Sequence, residues 1–291
     1  MIIQKYNLNS NNVQENVIKY YNATQLFYNL LWATSDSLAM HYGIWEKNIQ
    51  NLNEAQINEN RLVSKLLNVN SSDIILDAGC GIGGTIIWMS ENFGCKTIGT
   101  TICQKQVDQG KFHIKKRQLE KVVNIVLKDF TKTGYPDNSF TKIFGIEAIC
   151  YAPNQEEFAR EVYRLLKPKG QYLRADGFLN SNKLSINNQK IYKDWCKGWA
   201  VPDLNTVDEY IELLNKVGFI NIKIINVTEK ILPSANIMWW INALQYIPFK
   251  ILYKLGILSQ IYYMDIVAGL NQKQLFLDGI TSYLIITAEK P

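Results

Sequence analysis

Apolar and polar positions take turns along this chain in a pattern that predicts alternating strands and helices. Between residues 74 and 178, short apolar runs such as "IILDAG" and "VNIVLKD" are separated by longer segments whose apolar positions recur every three or four residues. Continuous apolar runs are typical of strands buried on both faces, and the longer periodicity is typical of amphipathic helices. The segment therefore predicts a mostly parallel sheet covered by helices on both faces.

Seven strands are predicted in all, because two further runs follow residue 180. The predicted strands are "IILDAG" (74–79), "KTIGTT" (96–101), "VNIVLKD" (123–129), "TKIFGIEA" (141–148), "QYLRADGF" (171–178), "INIKIINVTEK" (220–230) and "SYLIITAEK" (282–290). We predict an α/β fold with a Rossmann-like, doubly wound, seven-stranded, mostly parallel sheet. An N-terminal helical clasp and a C-terminal helical insertion complete the predicted architecture.

The two flanks of the sheet region have an aromatic, helical character. Residues of about 13–40 are predicted to be helical, and a turn follows at "HYGIW". Roughly fifty residues separate the last two strands, and an insertion of that length favours a lid or a pocket wall over a plain connection. We divide the chain into a clasp (1–60), a ligand-binding core (61–180) and a remainder (181–291) with substrate-pocket helices and the last two strands.

Charge and composition exclude some classes of partner and leave others open. The 291 residues carry a net charge of +5, but the lysines are scattered. The one dense run, at 111–121, is typical of a solvated helix face and end, and contact with phosphate or anionic lipid is the alternative. We therefore predict no nucleic-acid partner. The apolar segment 237–258 is broken by polar residues and lacks the length of a membrane span, although it can dock on a membrane surface.

The cysteines indicate a reducing compartment. There are 5 of them, an odd number, with no C-x-x-C pair and no Cys/His cluster. This pattern argues against a disulfide framework and against a structural zinc, and no metal site is predicted. The first residues turn polar too soon for a signal peptide, so a cytoplasmic location is expected. The sequence does not indicate an oligomeric state.

A glycine-rich loop follows the first strand. Gly79-Cys80-Gly81-Ile82-Gly83-Gly84 fits G-x-G-x-x-G, and a helix is predicted directly after it. A strand, a glycine turn and a helix N-terminus together offer backbone N–H groups to a nucleotide-like ligand. The pattern alone also fits a structural turn without a ligand, or the pyrophosphate site of a nicotinamide enzyme.

Two features beside the loop favour a ligand without phosphates. Asp77 precedes the loop, where its carboxylate would repel a pyrophosphate and attract an ammonium group. The next strand ends in Thr100 and Thr101, with Gln106 after them, where a nicotinamide site has Asp or Glu roughly 20 residues downstream. S-adenosylmethionine carries an amino group and a sulfonium and no phosphate, and it fits both features.

These residues resemble a class I S-adenosylmethionine-dependent methyltransferase, and most closely the sterol C-methyltransferase and tocopherol methyltransferase branch. "LDAGCGIGG" matches the cofactor loop of that branch, "GTTICQKQ" is similar to the tocopherol type, and "GIEAICYAPNQEEFAREVYRLLKPKGQY" resembles the sterol type. "YYNATQLFYNLLWATSDSLAMHYGIW" is similar to the N-terminal helix and clasp of both. The resemblance covers residues of about 20–180.

The resemblance implies a role for each matching position. Asp77, Gly79, Cys80 and Gly81 would cradle the methionine end of the cofactor, and Thr100, Thr101 and Gln106 would meet its ribose. Asp129 and Phe130 would flank the adenine, and Glu147 and Ala148 would line both cofactor and substrate. The set that would close over the methionine carboxylate is Tyr20 and the His41-Tyr42-Gly43 turn.

Candidate catalytic residues follow from the same positions. Glu147 is the first candidate for a general base, or else it orients its loop. His41 is either a catalytic residue or a packed residue of the clasp, and Tyr151 either meets the substrate or caps a helix. Asp176 is expected to be a strand-end cap. Tyr151 stands where the sterol branch has His, and "ADGFLN" replaces its Glu-Trp, so a sterol acceptor does not follow.

Aromatic residues cluster in the C-terminal third, and they include Trp195, Trp199, Trp239 and Trp240. An aromatic-rich insertion over a cleft favours an apolar acceptor, so we expect carbon methylation of an isoprenoid, sterol-like or other lipid. Methylation at nitrogen or oxygen of a small metabolite is the alternative within the enzyme class. A non-catalytic binding protein with the same fold and a nicotinamide oxidoreductase are the alternatives from other classes.

Overall fold

The seven predicted strands form one sheet in the part of the chain that the computed structural model describes, residues 10–32 and 36–291. The spatial order is β3-β2-β1-β4-β5-β7-β6, and only β7 runs antiparallel to its neighbours. The predicted fold class is therefore confirmed. The strands are β1 (Ile74–Ala78), β2 (Lys96–Thr101), β3 (Val123–Leu127), β4 (Phe140–Ile146), β5 (Leu166–Leu179), β6 (Ile220–Asn226) and β7 (Thr281–Glu289).

Helices cover both faces of this sheet because strand side chains alternate between two apolar layers. In β1, Ile75 packs in one layer with α2, α3 and α4, and Leu76 packs in the other with α5 and α7. The helices are α1 (Ser10–Phe27), α2 (Leu52–Leu66), α3 (Gly84–Phe93), α4 (Gln104–Lys116), α5 (Gln155–Leu165), α6 (Ile186–Gly198), α7 (Val207–Val217), α8 (Thr228–Lys254) and α9 (Gln260–Leu277).

The strand order reverses direction between β1 and β4. β1 pairs with β2 on one side and with β4 on the other, and all three run parallel. In open α/β sheets, ligands bind in the crevice beyond the carboxyl ends of the strands at such a switch point. Ligand-binding residues are therefore expected directly after β1, β2, β3 and β4.

The predicted helix over about 13–40 is too long. Helix α1 ends at Phe27, a π-helical turn continues to Trp32, and residues 33–35 lie outside the described residues. Residues 36–45 are not helical: the indole N–H of Trp32 donates to the backbone O of His41 (3.0 Å), and Leu38 has a positive φ of 49°. Leu38, Tyr42 and Ile44 are buried in this segment, as the apolar residues of an amphipathic helix would be. The spacing of apolar residues in the sequence therefore does not distinguish the segment from a helix.

Two long helices, α8 and α9, fill the space between β6 and β7. They cross closely, because a Cβ on Gly269 of α9 would lie 2.2 Å from the amide nitrogen of Asn242 in α8. Helix α6 also packs against α9, at Gly198 and Met264. None of the helices in the described ranges is long and apolar enough to cross a membrane.

Candidate functional site

A cavity opens at the carboxyl ends of the strands, at the switch point of the sheet. The empty space within it, including the open solvent at its mouth, is about 1590 Å³. Thirteen of the candidate catalytic and cofactor residues predicted from the sequence line it, although they come from distant parts of the chain. They are His41, Tyr42, Asp77, Gly79, Cys80, Gly81, Thr101, Gln106, Asp129, Phe130, Glu147, Ala148 and Tyr151.

The glycine turn brings backbone close to the cavity floor. Gly79 has φ +89°, and a Cβ there would lie 2.4 Å from the Cβ of Ala148. The N–H groups of Gly79 and Cys80 both donate to the backbone O of Thr100, at 3.0 and 2.9 Å. A larger residue at position 79 would therefore be strained by conformation and by contact, which explains glycine at this point.

Asp77 is a buried carboxylate at the end of β1. Burial raises its pKa well above the usual value, and no residue of the described chain forms a hydrogen bond or an ion pair with its side chain. Burying an ionised carboxylate without a partner is costly, so the site as built favours a ligand that brings a positive charge.

Helix α1 closes the polar side of the cavity. Thr101 Oγ1 donates to Gln106 Oε1 (2.6 Å), and Gln106 Nε2 donates to Gln25 Oε1 on α1 (3.2 Å). Asp129 accepts a hydrogen bond from Gln14 Nε2 on α1 (2.6 Å) and one from the backbone N–H of Thr131 (2.7 Å). The polar groups predicted for ribose and adenine therefore already hold hydrogen bonds to the clasp.

Thr100 and Tyr20 do not line the cavity, contrary to the roles expected for them. The Thr100 hydroxyl donates to the backbone O of Asp77 (3.2 Å) and is fully buried in the sheet. Successive side chains of a strand point to opposite faces, so only Thr101 reaches the cavity. The Tyr20 hydroxyl donates to Asp265 (2.7 Å), and its neighbour Tyr21 faces the cavity instead.

Glu147 follows β4 in a strained conformation with φ +50°. Its Oε1 accepts hydrogen bonds from the backbone N–H of Tyr42 (2.8 Å) and from the hydroxyl of Tyr283 (2.9 Å). Burial raises its pKa, and the nearby Glu59 raises it further. The strain and the bonds fix the carboxyl at the boundary between clasp and sheet.

Behind Glu147 lies a second carboxylate, that of Glu59. The same Tyr283 hydroxyl lies 3.0 Å from Glu59 Oε1, and Glu59 Oε2 lies 2.8 Å from His41 Nδ1. One phenol carries one proton and donates it to one carboxylate at a time. The Tyr283 hydroxyl therefore links two buried carboxyl groups and can stabilise the ionised form of only one of them at a time.

Sequence reasoning missed Glu59 and Tyr283. Glu59 lies at the centre of α2, four residues from the buried Ala55 and Val63, and Tyr283 lies in the last strand. The available signal was a charged residue on the apolar face of an amphipathic helix, since an unpaired charge rarely occupies such a position.

An aromatic wall forms the other half of the cavity, defined by Tyr21, Tyr28, Tyr151, Trp195, Trp199 and Phe276. The Tyr21 and Tyr151 rings meet edge to face at 6.0 Å, and the Tyr151 hydroxyl donates to the backbone O of Trp199 (3.1 Å). Burial raises the pKa of Tyr151 well above its usual value. Tyr151 therefore stays protonated and offers an aromatic face rather than a base.

Asp176 lies within β5, and its carboxylate holds a neighbouring turn and pairs with an arginine. It accepts from the backbone N–H of Cys150 (2.9 Å) and forms an ion pair with the buried Arg174 (3.2 Å). The Arg174 guanidinium is held between the rings of Phe178 and Tyr210, 4.4 and 4.5 Å from their centroids. Both groups hold the turn after β4 in place.

Comparison with known proteins shows the family of the chain. Residues 9–245 match the family described as mycolic acid cyclopropane synthetase. A sterol 24-C-methyltransferase of Kluyveromyces lactis is 30% identical over 207 residues, which are 70% of this chain and 54% of that protein. The chain thus spans about half the length of the curated relatives it matches.

Solved structures share the fold at low sequence identity. A geranyl diphosphate methyltransferase in complex with geranyl diphosphate and sinefungin has a TM-score of 0.76 at 18% identity, covering 96% of this chain and 100% of that one. The cyclopropane synthase MmaA2 of Mycobacterium tuberculosis has a TM-score of 0.82 at 16% identity, covering 95% and 98%.

Proposed function

We propose that this chain works as a methyltransferase, because it belongs to the mycolic acid cyclopropane synthetase family within the class I S-adenosylmethionine-dependent methyltransferases. In the proposed reaction, a methyl group moves from S-adenosylmethionine to a carbon atom of a small apolar acceptor of isoprenoid, sterol or lipid character. The observation that carries the proposal is the buried Asp77 beside the glycine turn, whose carboxylate has no partner among the described residues, in one cavity with an aromatic wall.

The residues around the glycine turn fit S-adenosylmethionine. Asp77 offers a buried negative charge for the ammonium group, and the absence of a side chain on Gly79 lets the turn pack closely against Ala148 in the wall of the same cavity. When bound, the cofactor supplies a methyl group already activated by the sulfonium. Cys80 and Gly81 would hold the methionine end, with His41 and Tyr42 closing over it.

The remaining polar residues are proposed to hold the nucleoside. Thr101 and Gln106 would bond the ribose, and Asp129 would accept from the adenine amine while Phe130 packs against the ring. Ala148 would pack against cofactor and acceptor. The bonds of Gln106 and Asp129 to Gln25 and Gln14 support a clasp that adjusts when the nucleoside takes these groups.

The aromatic wall is proposed to bind and protect the acceptor. In methyl transfer to an alkene, the π electron pair of the acceptor would form the new C–C bond as the S–CH3 bond breaks. S-adenosylhomocysteine would leave, and a positive charge would remain on the neighbouring carbon. The faces of Tyr21, Tyr151 and Trp199 would stabilise that charge and exclude water from it. The names of the relatives, a sterol 24-C-methyltransferase and a geranyl diphosphate methyltransferase, support an acceptor of this class.

Glu147 is proposed to accept the proton that the cationic product must lose. The C–H electron pair would form the new double bond, and the proton would pass to the Glu147 carboxylate. In the free protein, burial and Glu59 favour the protonated form of Glu147. A bound cation nearby favours the ionised form, so binding of the cofactor would prepare the base. Tyr283 and Glu59 are then positioning residues, and His41 acts through Glu59.

The proposed division of labour follows the chain. Residues 1–60 would act as the clasp, 61–180 as the cofactor-binding core, and 181–291 would supply the acceptor wall. Trp195, Trp199 and Phe276 of the wall come from the last part, which supports this division. We also infer a reducing, cytoplasmic location, since the five cysteines, all within the described ranges, are free thiols.

Titration calorimetry tests the cofactor assignment directly. We expect the protein to bind S-adenosylmethionine and S-adenosylhomocysteine and not a nicotinamide dinucleotide. Tighter binding of the dinucleotide, or no binding of any of the three, would overturn the proposal.

A further inference from the structure

Helix α8 presents a row of exposed apolar side chains to the outside of the molecule. This apolar stripe consists of Trp240, Leu244, Ile247, Ile251 and Leu255, which are 56%, 76%, 60%, 54% and 67% exposed. Their spacing of four, three, four and four residues keeps them on one face of the helix, over about 22 Å at 1.5 Å per residue. A contiguous apolar face of this length marks an interaction surface.

A second group of exposed apolar side chains lies at the end of α1 and in the turn after it: Leu26, Leu30 and Leu31 are 62%, 70% and 44% exposed. The ring of Phe27 contacts Phe249 of α8 (5.8 Å) and Tyr262 of α9 (5.1 Å). Phe249 lies on the face of α8 opposite the apolar stripe, because a helix turns about 100° per residue. Helix α1 therefore packs on the other side of α8 and leaves the apolar stripe exposed.

The charges along this surface have one sign. From residue 231 to residue 264 the chain has two lysines, Lys250 and Lys254, and no Asp or Glu. The Lys250 ammonium lies 5.1 Å from the ring centroid of Tyr246, at the side of the helix. An apolar face flanked by lysines and aromatic rings is typical of helices that lie in the interface of an anionic membrane.

The same helix pair also walls the cavity. Met238 of α8 and Gln272 and Phe276 of α9 line it from within, and the apolar stripe lies on the outer side of α8. A surface that holds the apolar stripe would therefore lie next to the acceptor half of the cavity.

We propose that the apolar stripe docks on the surface of an anionic lipid bilayer, with α8 lying in the plane of the interface. A bilayer fits better than a second copy of this chain. Two copies joined through the apolar stripe would find no opposite charge there, because residues 231–264 contain Lys250 and Lys254 and no Asp or Glu, whereas an anionic bilayer supplies that charge. This docking goes beyond the proposed reaction and needs neither cofactor nor acceptor.

Vesicle sedimentation with the full-length protein tests the docking. The probes are phosphatidylcholine vesicles with and without phosphatidylglycerol, and neither cofactor nor acceptor is added. The test variant is Leu244→Glu with Ile251→Glu, and the matched control is Phe112→Glu, since Phe112 is 64% exposed on α4. Circular dichroism and calorimetric binding of S-adenosylmethionine verify that each variant is folded.

We expect wild type and Phe112→Glu to sediment with the anionic vesicles, less so as salt is added. The double variant should lose at least roughly tenfold in partitioning, because two buried leucine-sized side chains contribute that much. Wild type left in solution, or equal binding by the double variant, would overturn the docking. So would light scattering that finds a wild-type dimer and a monomeric double variant. S-adenosylmethionine binding is unaffected by any of these outcomes, so the proposed function is tested separately.

Discussion

The hydroxyl of Tyr283 lies 2.9 Å from Oε1 of Glu147, and it is the same hydroxyl that contacts Glu59. This bond stabilises the ionised form of Glu147 against the burial that raises its pKa. The role of general base that we propose for Glu147 therefore depends on a residue from the last strand, and that dependence is measurable.

Tyr283→Phe should move the acidic limb of the pH–rate profile to higher pH. Without the hydroxyl, the pKa of Glu147 rises, and Glu147 accepts a proton only when ionised. We expect kcat/KM to fall by about tenfold on the acidic limb and to recover as pH rises. The control is Tyr163→Phe in α5, whose ring packs against Phe219 and does not line the cavity, and this variant should keep the wild-type profile. An unchanged profile in Tyr283→Phe would rule out this role.

Asp77→Asn should weaken cofactor binding without destabilising the free protein. Loss of the charge-assisted bond to an ammonium group should cost on the order of tenfold to a hundredfold in Kd. A carboxyl with a raised pKa in the fold stabilises the protein below its unfolded pKa and loses that contribution as pH rises through the folded pKa. At neutral pH, Asn should therefore leave the melting temperature equal or higher. A lower melting temperature with unchanged affinity would contradict the ligand role.

Gly79→Ala should destabilise the protein by on the order of 2 kcal/mol, because both φ and the contact with Ala148 oppose a side chain. The matched control is Gly256→Ala, which has φ +71° and nothing within 4 Å of the added Cβ, so it carries the conformational cost alone. Chemical denaturation should also show partial recovery in Gly79→Ala with Ala148→Gly. Equal losses at positions 79 and 256 would show that the contact is unimportant.

The free energy of unfolding should fall as pH rises from about 4 to about 6, because the buried Asp265 carboxyl ionises in this range. Burial raises its pKa to about 6. Its contribution is present below the unfolded pKa and is lost as pH rises through 6. Urea unfolding across this range should show wild type losing on the order of 2 kcal/mol relative to Asp265→Asn. If the unfolding free energies of the two proteins changed in parallel with pH, Asp265 would not be the group responsible.

The polar half of the cavity was predictable because its signals are local. Asp77, the glycine turn and Thr101 lie within one strand–turn–helix unit and its neighbour, so alternation of strands and helices brings them to one sheet edge. The structure places Thr100 outside the cavity because the strand period admits only one of two adjacent threonines, and the sequence does not say which. It places Tyr20 outside the cavity because a helix turns about 100° per residue, and Tyr21 lies on the cavity side instead.

The pairing of Glu59 with Tyr283 was not predictable. It joins residues 224 positions apart, and only the closing of the sheet by β7 brings them together. The aromatic wall was indicated by composition in the C-terminal third, but its geometry depends on how α6 and α9 pack. The exposure of the apolar stripe likewise depends on tertiary packing, because α9 covers one face of α8 and leaves another face open.

Transfer of labelled methyl tests the central claim most directly. The protein is incubated with methyl-labelled S-adenosylmethionine and a lipid and metabolite extract, and the products are analysed by mass spectrometry, with Glu147→Gln and Asp77→Asn in parallel. We predict label in apolar isoprenoid or sterol-like molecules, bonded to carbon, and a large loss of label with either variant. Label only at nitrogen or oxygen of polar metabolites, or no label from a protein that binds the cofactor, would contradict it.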